Sequence, residues 1–360
     1  MAKVMATEET QAHRPQALAE PQAAPGAPAQ GLKDRHFLTT RSLEAGEIRF
    51  LLDTARAFAG PVARGETIPL LQKAMIVNLF FENSTRTRMS FELATRKLAG
   101  NVMSFAAQVS SVNKGETLID TARNIEAMRP QCLIVRHASA GSPHFLARSL
   151  NLSVVNAGDG FHEHPTQALL DAFTIEQKLG TLAGKKVLIL GDIAHSRVAR
   201  SNIYLLRTMG AEVDVCAPPT LLPPNPEHLG VGFAYRPEEL LADADVVITL
   251  RVQLERQNRM QLPSIAEYTR FWGLNRERAK LMKPEAIILH PGPINRGVEL
   301  DTEVADSPRS VILDQVFNGV LVRMAVLASL CNPQGLREWL ATQPPTPVTP
   351  PNSVKGTSHG

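Results

Sequence analysis

One run of the sequence combines the residue types that bind a phosphate or a carboxylate. An apolar strand candidate at 74–81 is followed by the run ENSTRTR (82–88) and then by helix-forming sequence, with Gly100 as a plausible C-cap. Ser84 is a favourable N-cap, and the first backbone N–H groups of a helix form an anion-binding site. Two arginines in the first turn oppose the helix dipole by about 0.3–1 kcal/mol each. The pattern therefore predicts a bound anion rather than incidental arginines.

Three further arginines stand where a strand ends or a helix begins. Arg136 ends one apolar strand candidate, Arg251 directly follows another, and Arg197 opens a predicted helix. Each alone could simply reach solvent with its charged end. In open parallel sheets, however, ligands collect beyond the carboxyl ends of the strands. Together these arginines predict sites for carboxylate or phosphate groups.

The run HEHPTQ (162–167) contains an HxH pair, which is common among metal ligands. Pro165 suits the first position of a helix, so His164 should lie just before one. The sequence offers no further His, Cys or Asp cluster to complete a metal site, and we expect neither a metal nor an organic cofactor. The run that follows the strand candidate 186–191 has one of the three glycines of a dinucleotide fingerprint, which disfavours that class of protein.

Short apolar runs alternate with stretches of helical periodicity, which predicts parallel sheets covered by helices on both faces. The strand candidates are 74–81, 132–137, 152–157, 186–191, 212–217, 245–250 and 286–291. The helix candidates are 86–99, 116–128, 166–179, 196–209, 237–243, 276–283 and a long C-terminal helix over 316–330. The predicted fold is α/β, with two doubly wound parallel-sheet domains and a C-terminal helix that returns to the first domain.

Composition divides the chain into five segments. Both ends are rich in Pro and poor in large apolar residues, so they cannot offset the entropy of ordering and are predicted to be disordered. The predicted segments are a disordered extension at 1–33, a first domain at 34–165, a second domain at 166–310, the C-terminal helix at 311–342 and a disordered tail at 343–360.

The overall composition excludes several function classes. Aromatic residues make up 5% of the chain, and the 38 basic and 35 acidic side chains are mixed, so nucleic-acid binding is not expected. No apolar stretch was expected to approach the roughly 18 residues that span a membrane. The three cysteines form no metal-ligand spacing and fit reduced thiols, which predicts a cytoplasmic protein.

The run STRTR (84–88), together with HPTQ, GD…SR, TLRVQ and HPGP, resembles the motifs of the aspartate and ornithine carbamoyltransferases over roughly 35–340. The resemblance implies a carbamoyl-phosphate-binding domain at 34–165 and an aspartate-binding domain at 166–310. It implies transfer of the carbamoyl group of carbamoyl phosphate to L-aspartate, in pyrimidine biosynthesis.

The resemblance also implies a role for each matched residue. Catalysis would fall to Arg86, Thr87, Arg136 and His164. Carbamoyl phosphate would be bound by Ser84, Thr85, Arg86, Thr87, Ser110, Lys114, Arg136, His164, Gln167 and Pro291. Aspartate would be bound by Lys114, Arg197, Arg251, Gln253, Pro291 and Gly292, while Glu82 and Arg256 would tie the two domains together.

Several alternatives remain at this stage. An ornithine or other amino-acid carbamoyltransferase is one, although the Arg251-Val252-Gln253 run and the lack of a cysteine after His290 favour aspartate. A non-catalytic subunit of a pyrimidine-synthesis complex is another. The resemblance implies a homotrimer whose active sites are shared between subunits, because the loop with Lys114 would reach a neighbouring subunit. It also makes dihydroorotase, or an inactive homologue of it, a candidate partner.

Overall fold

The structure is a computed structural model that describes residues 31–106, 116–252 and 264–344. These residues form two compact units. The first unit contains 31–184, 196–211 and 311–344, and the second contains 185–195 and 212–310. Apart from 31–33 and 343–344, the two predicted disordered segments lie outside the described residues.

The first unit contains a four-stranded parallel sheet with the order β2-β1-β3-β4. Its strands are β1 (Met75–Phe80), β2 (Asn101–Ala106), β3 (Cys132–His137) and β4 (Ser153–Asp159). Burial is nearly continuous along β1, β3 and β4, as expected for strands covered on both faces. The carboxyl ends of all four strands therefore meet at one edge, where Arg136 and Asp159 lie.

Among the described residues, six α-helices of this unit precede residue 212: α1 (Ala45–Ala63), α2 (Thr85–Lys97), α3 (Leu118–Ala127), α4 (Ser142–Ser149), α5 (Pro165–Leu179) and α6 (Arg197–Thr208). A capping box between Glu44 and Glu47 starts α1. The helix α2 ends at Lys97, and the residue in the left-handed conformation is Ala99 rather than Gly100. Gly100 is needed for space, because a Cβ there would lie 2.9 Å from Thr95 Cγ2.

The second unit contains a five-stranded parallel sheet with the order β7-β6-β5-β8-β9. Its strands are β5 (Lys186–Leu190), β6 (Glu212–Cys216), β7 (Gly232–Ala234), β8 (Val246–Thr249) and β9 (Ile287–Leu289). Its described helices are α7 (Glu238–Leu241), α8 (Ile265–Trp272), α9 (Arg276–Leu281) and α10 (Thr302–Ala305). The neighbouring strands β8 and β9 bring the segments after Thr249 and Leu289 to the same edge.

The chain then returns to the first unit through α11 (Ile312–Cys331) and α12 (Pro333–Ala341). By length and composition α11 could cross a membrane, so the expectation that no apolar stretch is long enough was wrong. The helix is apolar because it is largely buried: 72% of its apolar window lies inside the molecule. Within the first unit it packs against α1, α2 and α5, as a core helix does.

The predicted fold class is confirmed, since both sheets are parallel and carry helices. Every predicted strand is present, but the edge strands β2 and β7 were missed. β2 (NVMSFA) has polar residues at Asn101 and Ser104 that interrupt its apolar run, and β7 has only three residues. The helices α1, α4, α8, α10 and α12 were also missed.

The two compact units place α5 and α6 differently from the predicted domain ranges. Those ranges remain a prediction. Both helices pack together, and α5 also packs against α11, so they belong to the first unit rather than to the sheet of the second. Arg197 at the start of α6 therefore lies in the unit that holds β1 and β3.

Candidate active site

The predicted anion cradle lies at the start of α2, directly after β1. Ser84 occupies the N-cap position, yet its hydroxyl does not cap the helix. Thr85 and Arg86 are exposed, whereas Thr87 is buried with 8% of its surface accessible. The first-turn N–H groups and these side chains can receive a phosphate, because both the backbone donors and the helix dipole favour an anion there.

Two arginines of the first unit converge on one carboxylate. Arg197 Nη1 lies 3.0 Å from Glu82 Oε2, and Arg136 Nε lies 3.5 Å from the same oxygen. The three side chains are mostly buried, with exposed fractions of 6%, 12% and 11% for Arg197, Arg136 and Glu82. The cluster thus concentrates positive charge beside the cradle at the edge of the sheet.

Gly158, near the end of β4, permits this arrangement. A Cβ at this position would lie 3.1 Å from Arg197 Cζ and 3.2 Å from Arg136 Nη1, and the backbone φ is +113°. Arg136 donates to the Ala157 carbonyl at 3.1 Å and Arg197 to the Gly160 carbonyl at 3.2 Å. Backbone carbonyls of one short segment therefore fix the direction of both guanidinium groups.

His164 lies at the N-cap of α5 and is held through its backbone. Its N–H donates to Ser201 Oγ at 2.9 Å, and that hydroxyl donates to Glu163 Oε2 at 2.9 Å. Glu163 also accepts from the N–H and hydroxyl of Thr40 at 2.7 and 2.8 Å. Glu163, Thr40 and Ser201 were not singled out from the sequence, because their partners are more than 30 residues away.

The imidazole of His164 is suited to donate a hydrogen bond as a neutral group. Burial lowers its pKa well below the ordinary value, and the nearby charges of Arg136, Arg197 and Arg323 act in the same direction. Within the described residues, Nδ1 has no hydrogen-bond partner. A neutral ring in a cationic pocket can therefore donate to an oxygen that gains negative charge.

Gln167, one turn into α5, is oriented by a buried carboxylate that sequence analysis missed. Its side-chain amide donates to Asp171 Oδ1 at 2.9 Å. Two more amides converge on Asp171, from Asn202 at 2.8 Å and from Gln315 at 2.7 Å. Burial raises the pKa of Asp171 to about 6, and the three hydrogen bonds act against that rise. The spacing of Gln167 and Asp171 by four residues on one helix was the available signal.

In the second unit, the predicted residues lie at the edge formed by β8 and β9. Arg251 follows β8, and Pro291 and Gly292 follow β9, where the Gly292–Pro293 bond is cis. The Gly292 N–H donates to His290 Nδ1 at 2.8 Å, and His290 Nε2 lies 3.1 Å from Glu299 Oε1. Arg251, Pro291 and Gly292 are all partly exposed.

Glu299 organises this edge and was also missed from the sequence. It is 1% exposed, and its oxygens accept from the Asn295 N–H at 2.6 Å and the Asn295 side chain at 3.1 Å. The same Asn295 side chain donates to the Val252 carbonyl at 2.9 Å. The loop after β9 is thus tied to the segment that carries Arg251.

The remaining predicted site residues lie outside the described residues. These are Ser110, Lys114 and Gln253, together with Arg256, which was expected to act between domains. Among the described residues, the first unit contains the cradle, the Arg136–Glu82–Arg197 cluster, His164 and Gln167, and the second unit contains Arg251 with Pro291 and Gly292.

The fold and these sites define a class: parallel α/β proteins of two units that present cationic groups to small anions beyond the carboxyl ends of their strands. The family follows from sequence comparison. Residues 35–177 match the carbamoyl-P binding domain of aspartate/ornithine carbamoyltransferases, and residues 183–330 match the Asp/Orn binding domain. The chain belongs to the aspartate/ornithine carbamoyltransferase family and is a transferase enzyme.

Individual relatives agree with this assignment. The aspartate carbamoyltransferase catalytic subunit of Syntrophotalea carbinolica is 52% identical over 294 residues, which cover 81% of this chain and 94% of that protein. The aspartate transcarbamoylase of Trypanosoma cruzi in complex with N-(phosphonacetyl)-L-aspartic acid has a TM-score of 0.77 at 32% identity, covering 84% of this chain and 98% of that one. The ornithine carbamoyltransferase of Pyrococcus furiosus has a TM-score of 0.74 at 31% identity, with coverage of 84% and 98%.

The raised pKa of Asp171 predicts a measurable dependence of stability on pH. An unfolded Asp titrates near pH 3.9, so between about pH 4 and 6 the native state binds more protons than the unfolded state. Acidification should therefore stabilise the wild type relative to Asp171→Asn, which cannot titrate. We expect the difference in free energy of unfolding, wild type minus variant, to rise by about 2–3 kcal/mol between pH 8 and pH 4. Urea denaturation at both pH values measures this difference.

The comparison between proteins cancels groups that titrate in both, including His164, whose lowered pKa acts in the opposite direction. A difference that stays constant with pH would show that Asp171 is ionised throughout and is not strained by burial.

Proposed function

We propose that the chain catalyses transfer of the carbamoyl group from carbamoyl phosphate to the amine of L-aspartate, giving N-carbamoyl-L-aspartate and phosphate for pyrimidine biosynthesis. The observation that carries the proposal is the concentration of arginines around a helix N-terminus, where backbone N–H groups bind anions. Arg86 and Arg88 lie at the electropositive start of α2, and Arg136 and Arg197 are mostly buried beside it.

Each substrate has a proposed set of contacts. The phosphate is received by Ser84, Thr85, Arg86 and Thr87, with Ser110 and Lys114 contributed by a neighbouring subunit. Gln167 and the Pro291 carbonyl hold the carbamoyl amide. The α-carboxylate of aspartate binds Arg197, and its side-chain carboxylate binds Arg251, Gln253 and Lys114. The exposed or partly exposed state of Thr85, Arg86 and Arg251 supports these roles.

The proposed reaction is a direct displacement. The neutral amine of aspartate attacks the carbonyl carbon of carbamoyl phosphate, and a C–N bond forms as the carbonyl π electrons move to oxygen. The tetrahedral intermediate then breaks its C–O bond to phosphate, whose oxygen takes the amine proton. Thr87, Arg136 and His164 stabilise the oxyanion, and Arg86 stabilises the leaving phosphate. No step is assigned to a metal or an organic cofactor.

Aspartate is favoured over ornithine by the chemistry of the second unit. Arg251 suits a carboxylate rather than the cationic side chain of ornithine, and the residues directly after His290 are Pro291, Gly292 and Pro293, without a cysteine. The fold alone does not discriminate, because the solved ornithine enzyme is nearly as similar in structure as the aspartate enzyme. A non-catalytic role is disfavoured by the presence of all the expected site residues.

A product comparison tests the proposed activity. One preparation is incubated with carbamoyl phosphate and either L-aspartate or L-ornithine, and carbamoyl aspartate and citrulline are quantified. We expect carbamoyl aspartate alone, with inhibition by a phosphonate–aspartate bisubstrate compound. Arg251→Gln should raise KM for aspartate by about tenfold or more, since removing a partner of a charged group costs about 1.5–3 kcal/mol. Citrulline as the main product, or neither product, would contradict the proposal.

His164→Ala tests the proposed oxyanion contact. We expect kcat to fall by about 10²–10³, which corresponds to roughly 2.7–4 kcal/mol of barrier, with little change in KM for aspartate. His228→Ala, at an exposed turn of the second unit, is the matched control and should keep wild-type kinetics. An unchanged kcat in His164→Ala would reject the role.

The proposed setting is the cytoplasm, which agrees with three free cysteines, of which Cys132 and Cys216 are buried. The proposed assembly is a homotrimer that shares active sites, with dihydroorotase or an inactive homologue of it as partner of the N-terminal extension. We expect native mass measurement to give a trimer or a multiple of it. The full chain should retain added dihydroorotase on gel filtration, and a chain lacking 1–33 should not. A monomer with full activity, or trimers alone in both cases, would contradict this assembly.

A further inference from the structure

A cluster of potential metal ligands lies in the first unit, outside the contacts proposed for the substrates. His144 on α4, Asp159 at the end of β4 and His162 in the following loop each offer a ligand atom, and these atoms lie within 4.8 Å of one another. The two imidazole rings are 5.3 Å apart between centroids, at an angle of 66°. His162 therefore lies in a cluster with Asp159 and His144, which the sequence did not reveal around the HxH run.

The carboxylate of Asp159 is oriented as a metal ligand would be. It is fully buried, and its Oδ1 accepts from the Asn156 side chain at 2.8 Å and from the Glu163 N–H at 3.1 Å. Its Oδ2 accepts from the Gly141 N–H at 2.7 Å and lies 3.0 Å from His162 Nδ1. Outer hydrogen bonds of this kind fix the direction of metal-bound carboxylates.

His144 provides the second observation. Its Nδ1 is buried, and within the described residues it has no hydrogen-bond partner. A buried ring nitrogen without a partner costs free energy, since it has lost its contact with water. His144 therefore contributes to the cluster a ring whose Nδ1 makes no hydrogen bond that a bound cation would have to displace.

A second His–Asp pair in the chain has no third potential ligand group beside it among the described residues. His195 Nδ1 lies 3.0 Å from Asp192 Oδ1, with the same spacing of three residues and the same position after a strand. Yet within the part of the chain that the structure describes, the group of His144, Asp159 and His162 is the one that meets the distances for a metal. The added imidazole is what distinguishes the cluster in the first unit.

We propose that His144, Asp159 and His162 form a binding site for one divalent transition-metal ion of the zinc class. Two imidazoles and one carboxylate suit Zn²⁺ and Co²⁺ better than Mg²⁺ or Ca²⁺, which prefer oxygen ligands. Zinc–ligand bonds of about 2.0–2.2 Å bring tetrahedral ligand atoms to about 3.3 Å from one another, so side-chain shifts of roughly 1 Å close the site. The ion displaces the proton that His162 shares with Asp159 to solvent, and a water completes the coordination.

The position of the site gives it a consequence. It joins α4 to the loop between β4 and α5, and this loop carries the Gly160 carbonyl that receives Arg197 and ends at His164. A bound ion therefore braces the backbone that positions both side chains. The binding itself does not depend on the proposed reaction, so it can fail or succeed independently of it.

Cobalt titration tests the site. Chain prepared without a polyhistidine tag is treated with a chelator, dialysed and titrated with Co²⁺, with visible absorption as the readout. We expect one Co²⁺ per chain, with the intense bands of four- or five-coordinate cobalt, and displacement by Zn²⁺. Loss of an outer-sphere partner weakens metal binding by about 10–100-fold. His144→Gln and His162→Gln each remove a ligand, so each should weaken Co²⁺ binding by more than that. His195→Gln is the matched control and should bind as the wild type does.

A substitution that keeps a ligand guards against variants that fail to fold. His144→Cys should bind Co²⁺ and add a thiolate-to-cobalt charge-transfer band in the near ultraviolet, which the wild type lacks. Far-ultraviolet circular dichroism checks the fold of each variant. Absence of stoichiometric binding in the wild type, or equal binding by His144→Gln, His162→Gln and wild type, would overturn the proposal.

Discussion

The mostly buried ion pairs of Glu82 with Arg136 and Arg197 are the interaction on which the rest of the site depends. Burying a guanidinium group costs free energy. Here the shared Glu82 carboxylate, together with carbonyl oxygens of β4 and the loop after it, offsets that cost. The same charges help to keep His164 neutral, because they lower its pKa in addition to burial. The predicted anion cradle at the start of α2 begins two residues after Glu82, so the cradle and the arginine cluster lie on the same short stretch of backbone.

Buried acids position the remaining groups. Glu163 holds the segment around His164, Asp171 orients Gln167, and Glu299 connects the loop after β9 to the segment of Arg251. Each accepts several hydrogen bonds from backbone N–H groups, amides or hydroxyls, which offsets the cost of removing a carboxylate from water. In each unit, buried carboxylates thus accept hydrogen bonds from groups of the surrounding scaffold.

The cationic half of the site was predictable and the acidic half was not. Arg86, Arg136, Arg197 and Arg251 stand at strand ends or helix starts, where sequence order alone reveals their position. Asp171 and Glu299 look like ordinary helix and loop residues until distant partners are known, such as Gln315, 144 residues from Asp171. For the fold, the strands with continuous apolar runs were predicted, whereas the edge strand β2, whose apolar run is interrupted by Ser104, was not.

By itself the sequence determined the parallel α/β class, the family and the residue types that can receive carbamoyl phosphate and a dicarboxylic amino acid, because these depend on local runs and short motifs. Tertiary structure decided which partner each charged group meets. It brought His162 together with His144 and Asp159, a cluster that the sequence did not reveal, and it grouped α5 and α6 with the first sheet. The physical reason is that hydrogen bonding and burial depend on which residues the fold brings together, and these residues can be far apart in the sequence.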